Sequence, residues 1–366
     1  MTPCADPNRG SRHPILEGDL DRILANSLPW EQFAGKTVLV TGAGGFLPAY
    51  LVETLLRLNE TRTLAKVRVV GLVRNLKKAQ ERFRHHAGRS DLDLVCQDVI
   101  EPWNLEGRMD FIIHAASQAS PKFFGSDPVG TLEANLLGTR RALLRAREDR
   151  TEGFLYFSSG EVYGQVDPAR IPILEDAYGY LDPTNVRACY GEGKRAGEAL
   201  CVAYAHQFGI PARIARPFHT YGPGMALDDG RVFADFVSNI VLGQDLVLKS
   251  EGLAVRPFCY LADATVGFFT VLLKGSTGAA YNVGNPDTEI SIRDLAALLV
   301  RVFPEPQKRV VVSVQPHSHG YLESPIVRNS PDIRKLRALG WNPTTGLVDG
   351  FTRTVNSFLN PSNQAT

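Results

Sequence analysis

The sequence predicts an α/β protein with a doubly wound parallel sheet (Rossmann-like) and a smaller C-terminal lobe. Short apolar stretches of strand length alternate with stretches of helix length from residue 37 to residue 217. A glycine-rich turn, Gly42-Ala43-Gly44-Gly45, joins the first of these strands to the first helix. Tyr190 and Lys194 stand four residues apart in a later helical stretch. Together these features predict a nucleotide-binding fold that carries a reactive helix.

Composition limits the class of protein. The chain has 366 residues, 44% of them hydrophobic, with a formal net charge of +1. This length suits one large domain or two closely packed ones, and the charge gives no reason to expect nucleic acid or a membrane surface as partner. Five scattered cysteines without a C-x-x-C pair indicate reduced thiols in a cytoplasmic protein, with no metal site. We also expect neither a signal peptide nor a membrane span, because no apolar run is long enough.

The N-terminal region is predicted to be an extension, residues 1–35, before the main fold. Its first 14 residues are rich in Pro, Arg and Ser, which favours a loose segment. Ile15, Leu20 and Ile23 then have the spacing of a short amphipathic helix. We expect this helix to pack on the domain or on a second subunit.

The first strand, 37–41, runs into the glycine turn and then into an apolar helix. Glycines let the backbone approach a pyrophosphate, and the helix N-terminus supplies N–H groups and a favourable dipole. The order is G-x-x-G between Gly42 and Gly45, with Pro48 where a third glycine is expected; proline is tolerated in a first helical turn. The turn residues that we assign to a dinucleotide are Gly42, Gly44, Gly45, Phe46 and Leu47.

The second strand, 67–73, lacks the carboxylate that binds the adenosine ribose of NAD. Arg74 follows it instead, and its guanidinium could meet a 2′-phosphate. The predicted cofactor is NAD, and Arg74 leaves NADP open. The third strand, 92–96, leads to Asp98 and Val99, which we assign to the adenine.

The fourth strand begins at Phe111 and ends in small residues that allow backbone to lie beside a cofactor. These residues are Ala115, Ala116 and Ser117. His114 is interpreted as a packed strand residue. A long helix over 131–147 and a fifth strand over 154–157 follow, and the fifth strand ends at Ser158-Ser159.

Tyr190 and Lys194 lie one turn apart on the same helix face. An ammonium there would favour the phenolate and lower the pKa of Tyr190 from about 10 towards working pH. Tyr190 would then be a general base or acid for a sugar hydroxyl. The spacing alone is a weak signal, but the glycine turn and the Ser159–Tyr163 segment precede it in the expected order.

After the sixth strand, 212–216, the composition shifts towards Gly, Pro and Asp. We predict a dinucleotide-binding domain over 36–217, which carries the catalytic Tyr and Lys, and a substrate-binding lobe over 218–350. The lobe is expected to be discontinuous and to share strands and a helix at 255–283 with the first domain. Residues 351–366 are predicted to form a tail that is disordered after Leu359.

Taken together, these residues resemble the extended short-chain dehydrogenase/reductase family that remodels nucleotide sugars, over roughly residues 36–345. The resemblance is strongest from 111 to 260. Within the family, the segments 116–121, 159–163, 187–195 and 228–232 look most like those of UDP-glucuronate decarboxylases (UDP-xylose synthases).

The resemblance implies a closed redox loop on a nucleotide sugar that is UDP-linked. Tyr190 would remove the proton of the sugar 4-OH while hydride passes to the nicotinamide. The resulting 4-keto group makes a C6 carboxylate labile, and hydride returns after decarboxylation. Ser159 would hold the 4-OH, Lys194 would also bridge the nicotinamide ribose, and Glu161 would assist loss of the carboxyl group.

The resemblance also implies a set of substrate-binding residues and a homodimer. The set comprises Ser120, Glu161, Arg187, His219, Arg231, Arg256 and Arg328. Decarboxylases have an arginine late in the sequence that lines the site, and Arg328 is our candidate for it. Arg231 and Arg256 are candidates for phosphate contacts, because a planar guanidinium pairs well with phosphate oxygens. The homodimer would form a four-helix bundle from the helices at 128–148 and 188–208.

Three departures from the family pattern leave the reaction open. Gly160 stands where decarboxylases have Ser, and it argues against the 4,6-dehydratases, which have Asp there. His219 replaces the usual Asn and Gly224 a usual Arg. The alternatives are a nucleotide-sugar 4-epimerase, which does not need Glu161, an NADPH-dependent 4-ketosugar reductase, which Arg74 favours, and a non-catalytic cofactor-binding module.

Overall fold

The computed structural model describes residues 11–305, 307–313 and 326–359. Its helices are α1 (Pro14–Leu24), α2 (Phe46–Thr61), α3 (Leu76–Arg82), α4 (Lys122–Ser126), α5 (Pro128–Asp149), α6 (Ala188–Phe208), α7 (Val232–Val241), α8 (Leu261–Lys274), α9 (Ile292–Val302), α10 (Arg334–Arg337) and α11 (Leu347–Leu359). Its strands are β1 (Thr37–Thr41), β2 (Arg68–Val73), β3 (Leu92–Cys96), β4 (Phe111–His114), β5 (Gly153–Phe157), β6 (Ala212–Pro217), β7 (Thr220–Tyr221), β8 (Leu246–Leu248), β9 (Val255–Pro257), β10 (Cys259–Tyr260), β11 (Ala280–Val283), β12 (Glu289–Ser291) and β13 (Val310–Val312).

The centre of the molecule is a seven-stranded sheet in the order β3-β2-β1-β4-β5-β6-β11. Every neighbouring pair in it is parallel. Most residues of its central strands are apolar and buried because helices cover both faces. In β1, Val38 and Val40 belong to the core on one face, and Leu39 belongs to the core on the other. The doubly wound fold predicted from the sequence is confirmed, and the six predicted strands correspond to β1 to β6.

Different helices cover the two faces. α2 and α8 pack on one face, with α1 against them, and α5 and α6 pack on the other. Leu20 and Ile23 of α1 are fully buried, so the N-terminal helix packs on its own domain, which was one of the two expected roles. Arg12, just before α1, donates to Glu53 of α2 over 3.1 Å. Residues 1–10 lie outside the described part.

Three two-stranded sheets lie outside the central sheet, in the stretch 218–350 predicted as the substrate-binding lobe and called the second lobe below: β7 with β10, β9 with β12, and β8 with β13. β11 lies in the predicted shared stretch 255–283 and completes the central sheet. α11 continues through the predicted boundary at residue 351, where Phe351 is buried and stacks on Tyr221 with ring centroids 4.1 Å apart. The predicted disorder after Leu359 concerns residues outside the described part.

Topology fixes the place of the site. β1 lies between β2 and β4, so β2 and β3 extend the sheet from β1 towards one edge, and β4 to β6 extend it towards the other edge. In open α/β sheets, ligands bind outside the carboxyl ends of the strands at this switch point. The glycine turn after β1 and the small residues after β4 meet there.

Candidate active site

A cavity of about 760 Å³ opens at the carboxyl ends of β1, β4 and β5 and extends under the second lobe. Most of the site residues predicted from the sequence line it. These are Gly42, Gly44, Gly45, Phe46, Leu47, Arg74, Asp98, Val99, Ala115, Ala116, Ser117, Ser120, Ser159, Glu161, Arg187, Tyr190, Lys194, His219 and Arg231. The fold therefore brings together in one space residues that are more than 180 positions apart in the chain.

The glycine turn packs closely on the exit of β4. Gly42 has a φ of +67°, and a Cβ there would lie 2.8 Å from the Cα of Ala116, so no larger residue fits. The N–H of Gly45 donates to the carbonyl of Gly42 over 2.7 Å and closes the turn. α2 begins at Phe46, which places Pro48 in the first helical turn as predicted.

The residues at this turn fit a nicotinamide adenine dinucleotide. No side chain caps the N-terminus of α2, so its first N–H groups remain available to a pyrophosphate beside the glycine turn. The hydroxyl oxygen of Ser117 is buried without a hydrogen-bond partner, which a bound ligand would satisfy. The glycine turn, Ser117, Asp98 and Lys194 would hold such a cofactor.

Lys194 of α6 is 2% exposed and donates to the carbonyl of Phe157, the last residue of β5, over 2.6 Å. Burial lowers the pKa of its ammonium to about 7, while the carboxylate of Glu198 acts in the opposite direction. The ammonium lies 5.7 Å from the centre of the Tyr190 ring. Lys194 and Tyr190 therefore face the same space, as their spacing predicts.

Tyr190 does not have the lowered pKa that the sequence predicts. Burial raises the pKa of its phenol to about 12, and a hydrogen bond with Ser159 opposes this shift only in part. The physical reason is that the ring is 7% exposed and stacks on Phe124, with centroids 5.0 Å apart, so a phenolate would be poorly solvated. The expectation that Lys194 lowers this pKa is therefore wrong.

Glu161 and Arg187 form an ion pair on the cavity wall, with 3.1 Å between Oε2 and Nη1. Glu161 lies in the 3₁₀ turn that follows β5, where its N–H donates to the hydroxyl of Ser159 over 3.2 Å. Arg187 immediately precedes α6. The Nε of Arg187 is buried without a partner, so the guanidinium keeps a donor for a ligand.

His219 and Arg231 line the cavity from the second lobe. Burial lowers the pKa of His219, and the charges of Arg256 and Arg231 act in the same direction, so the imidazole is neutral. Its Nδ1 is buried without a hydrogen-bond partner. Arg231 pairs with Asp229, whose carbonyl accepts from Ser120 over 2.6 Å. This contact ties the exit of β4 to the second lobe across the cavity.

Two predicted arginines do not line the cavity. Arg328 is turned outwards and forms two hydrogen bonds, 2.6 and 2.7 Å long, with the carboxylate of Glu289. Asn329 lines the cavity in its place, and its Oδ1 is buried without a partner. Arg256 donates to backbone carbonyls, including that of Ile326 over 2.7 Å, and so holds residues 326–328 against β9. Arg328 lies in an isolated parallel bridge with Val255, and its neighbour Asn329 lies on the cavity wall.

Sequence reasoning missed other residues on the cavity wall. Phe124 stacks on Tyr190 and gave no sequence signal, because its contact depends on the fold. Lys78 and Arg82 line the cavity with Arg74, and their four-residue spacing on α3 is a signal that could have found them. His114 is a packed strand residue, as predicted: its ring nitrogens lie 2.9 Å from Thr41 Oγ1 and 3.1 Å from Thr139 Oγ1.

The chain is similar to a known family and to named proteins over most of its length. A model described as the NAD dependent epimerase/dehydratase family matches residues 38–284. UDP-glucuronic acid decarboxylase 6 of Arabidopsis thaliana is 36% identical over 316 residues, which cover 86% of each chain. UDP-glucuronic acid decarboxylase 1 of Xenopus tropicalis is 32% identical over 345 residues, covering 93% of this chain and 77% of the relative.

Solved structures agree at the level of the fold. UDP-glucuronic acid 4-epimerase from Bacillus cereus, in complex with UDP-glucuronic acid and NAD, superimposes with a TM-score of 0.73 at 23% identity. The match covers 88% of this chain and 98% of the epimerase. Among the residues described here, no helix combines the length and the hydropathy needed to cross a membrane.

Proposed function

We propose that this chain, which belongs to the NAD dependent epimerase/dehydratase family, decarboxylates UDP-glucuronate or a related nucleotide sugar acid through a transient 4-keto sugar. One observation carries the proposal: Ser159, Tyr190 and Lys194 line the same cavity as the Glu161–Arg187 ion pair. The first three suit oxidation of a sugar hydroxyl, and the ion pair suits a sugar that carries a carboxylate. The names of the two decarboxylase relatives support the same reaction.

NAD, which the glycine turn, Ser117, Asp98 and Lys194 would hold, would supply the hydride acceptor for oxidation of the sugar and the hydride donor for the later reduction. Tyr190 takes the proton of the sugar hydroxyl and gives it back in the reduction, so its protonation is unchanged over the cycle. Ser159, which is hydrogen-bonded to Tyr190, holds the hydroxyl in line with the phenol. Lys194 orients the ribose and, as an ammonium, compensates negative charge on the phenol.

Arg187 and Glu161 act at the other end of the sugar. Arg187 has a buried Nε without a partner and binds the sugar carboxylate. Glu161 then competes with the substrate for the same guanidinium. Carbon dioxide leaves from the 4-keto sugar because the keto group accepts the electron pair of the broken bond, and a proton then adds to the carbon that carried the carboxyl group.

The test uses purified protein with UDP-glucuronate and NAD and no added reductant. We expect release of carbon dioxide and a nucleotide sugar that has lost one carboxyl group. An isomer of unchanged mass without gas would instead identify a 4-epimerase, and stoichiometric consumption of NADPH with a 4-keto sugar would identify a reductase. Either outcome would overturn the decarboxylase assignment.

A 4-epimerase is the second candidate, and one observation favours it. The arginine that the decarboxylase resemblance implies, Arg328, does not line the cavity, where Asn329 stands instead. An epimerase needs the oxidation machinery but no group that assists carboxyl loss. The neutral Asn329 in place of the expected arginine therefore favours this reaction.

The proposed assembly is a homodimer that forms a four-helix bundle from α5 and α6. These two helices pack against each other, and α5 exposes Val129, Leu132 and Leu136, three apolar residues on one side that are between 39% and 64% exposed. α6 adds the exposed Val202. Apolar residues grouped in this way favour a subunit interface. We place the enzyme in the cytoplasm, where the four described cysteines, all free, remain thiols.

A further inference from the structure

The cavity carries a basic group at the end of β2, where NAD-binding folds place a carboxylate. Arg74 is the first residue after β2 and lines the cavity. Lys78 lines it too, and no described carboxylate lies within ion-pair distance of either side chain. Both are exposed towards solvent, so their charges are available to a ligand.

Local structure brings these two charges together. Asn75 caps α3 by accepting a hydrogen bond from the N–H of Lys78 over 2.9 Å, so the helix begins at Leu76, two residues after Arg74. Lys78 and Arg82 stand four residues apart in α3 and therefore lie along one side of it, and Arg74 precedes the cap of the helix. All three line the cavity.

α3 is held beside the glycine turn. A Cβ added at Gly44 would lie only 3.4 Å from the Cβ of Ala79, so the turn approaches the helix closely at this glycine. Arg82 donates to the carbonyl of Gly224 over 3.0 Å and so ties the end of α3 to the second lobe. The basic side chains thus border the same turn that would hold the pyrophosphate.

The segment after β2 offers the cavity no carboxylate that could bind a ribose 2′-OH. Glu81 is the only carboxylate between Val73 and Arg82, and it pairs with Arg84 over 2.7 Å outside the cavity. A ribose bound here finds no carboxylate on the cavity side of α3 to accept from its 2′-OH. A phosphate on that oxygen would instead meet two cations, which bind phosphate through charge-assisted hydrogen bonds.

We infer that the dinucleotide site accepts the 2′-phosphate of NADP through Arg74 and Lys78, and that NADP binds at least as tightly as NAD. The inference rests on the dinucleotide-binding part of the proposed function and not on the reaction. It changes which form of the cofactor is recruited, while the hydride chemistry stays the same.

The test is a binding titration of nucleotide-free protein with NAD and NADP, without sugar, followed by calorimetry. We expect a Kd for NADP equal to or below that for NAD. Arg74→Ala should raise the Kd for NADP about tenfold, the loss of roughly one charge-assisted hydrogen bond, and leave that for NAD within about twofold. Lys77→Ala is the matched control, because it removes the same charge from the same segment but does not line the cavity. It should change neither Kd.

Three results would overturn the inference: a higher Kd for NADP than for NAD, an equal effect of Arg74→Ala on both, or binding of neither dinucleotide. The last result would also show that the cavity does not bind a dinucleotide. Failure of the decarboxylase assignment is distinguishable, because the gas-release assay depends on the sugar product and this titration contains no sugar.

Discussion

Glu161 and Arg187 form an ion pair 3.1 Å long on the wall of the cavity that also holds Tyr190. The two residues come from separate elements, the turn after β5 and the start of α6. In the proposed reaction the sugar carboxylate takes the guanidinium, and Glu161 is released next to the sugar. A change to this pair should therefore affect decarboxylation more than it affects oxidation of the sugar.

Glu161→Gln keeps the shape of the side chain and removes its charge. We expect carbon dioxide release to slow by about 100-fold, the range of a general acid–base group, while reduction of the cofactor by the sugar changes little. Stopped-flow absorbance of the reduced cofactor and a gas-release assay measure the two steps. Equal rates in variant and parent would leave Glu161 with a structural role only.

Tyr190→Phe removes the hydroxyl and retains the ring that stacks on Phe124. Turnover should fall by roughly 10²- to 10⁴-fold, because no group then exchanges the proton of the sugar hydroxyl. Binding of UDP to the variant, measured by thermal shift, should match that of the parent. Unaltered turnover would remove Tyr190 from the mechanism.

Lys194→Met should stabilise the protein at neutral pH. The pKa of Lys194 is about 7 in the folded protein and about 10.5 when exposed, so the unfolded chain binds more protons between these values and stability rises with pH across that window. The variant lacks this penalty, which is fully present below pH 7. Its free energy of unfolding should exceed that of the parent by on the order of 2 kcal/mol at pH 7, after loss of the hydrogen bond to Phe157.

The advantage of Lys194→Met should shrink as the pH rises from 7 to 10. Urea denaturation of both proteins at a series of pH values measures it. A difference that stays constant or grows with pH would show that the lysine is not buried with a lowered pKa.

Asn329→Ala and Arg328→Ala form a matched pair of neighbours that face opposite ways. Asn329 has a buried oxygen facing the cavity, so its loss should lower kcat/KM about tenfold, as for one hydrogen bond. Arg328 pairs with Glu289 while partly exposed, and its loss should change kcat/KM by less than about twofold. Steady-state kinetics on the nucleotide sugar compare them. A larger loss of kcat/KM for Arg328→Ala than for Asn329→Ala would show that Arg328, and not Asn329, acts in the site.

Leu136→Asp places a charge in the apolar side of α5 that we propose as the dimer interface. We expect the dimer to dissociate to monomers in size-exclusion chromatography with light scattering, because a carboxylate would be buried there without a partner. Leu242→Asp is the control, since this exposed leucine lies after α7, outside the proposed interface. If the parent chain is itself a monomer, the proposed bundle does not form.

Much of the fold followed from local patterns. The strands β1 to β6 could be predicted because buried parallel strands are mostly apolar. The helices between them show a different pattern, in which apolar residues recur with the helical period. The glycine turn was equally readable, since Gly42 needs a positive φ that few other residues adopt. The four-residue spacing of Tyr190 and Lys194 sufficed to predict one shared helix face.

The sequence by itself therefore determined the layers of the fold, the position of the glycine turn and the Tyr190–Lys194 pairing, all of which depend on short-range spacing. Only the tertiary structure decided that Asn329 and not Arg328 lines the cavity, and that burial raises the pKa of Tyr190. Both depend on packing between segments far apart in the chain: Arg328 pairs with Glu289 while its neighbour Asn329 lines the cavity, and Phe124 stacks on the ring of Tyr190. No local spacing encodes which distant side chains will exclude water from a given group.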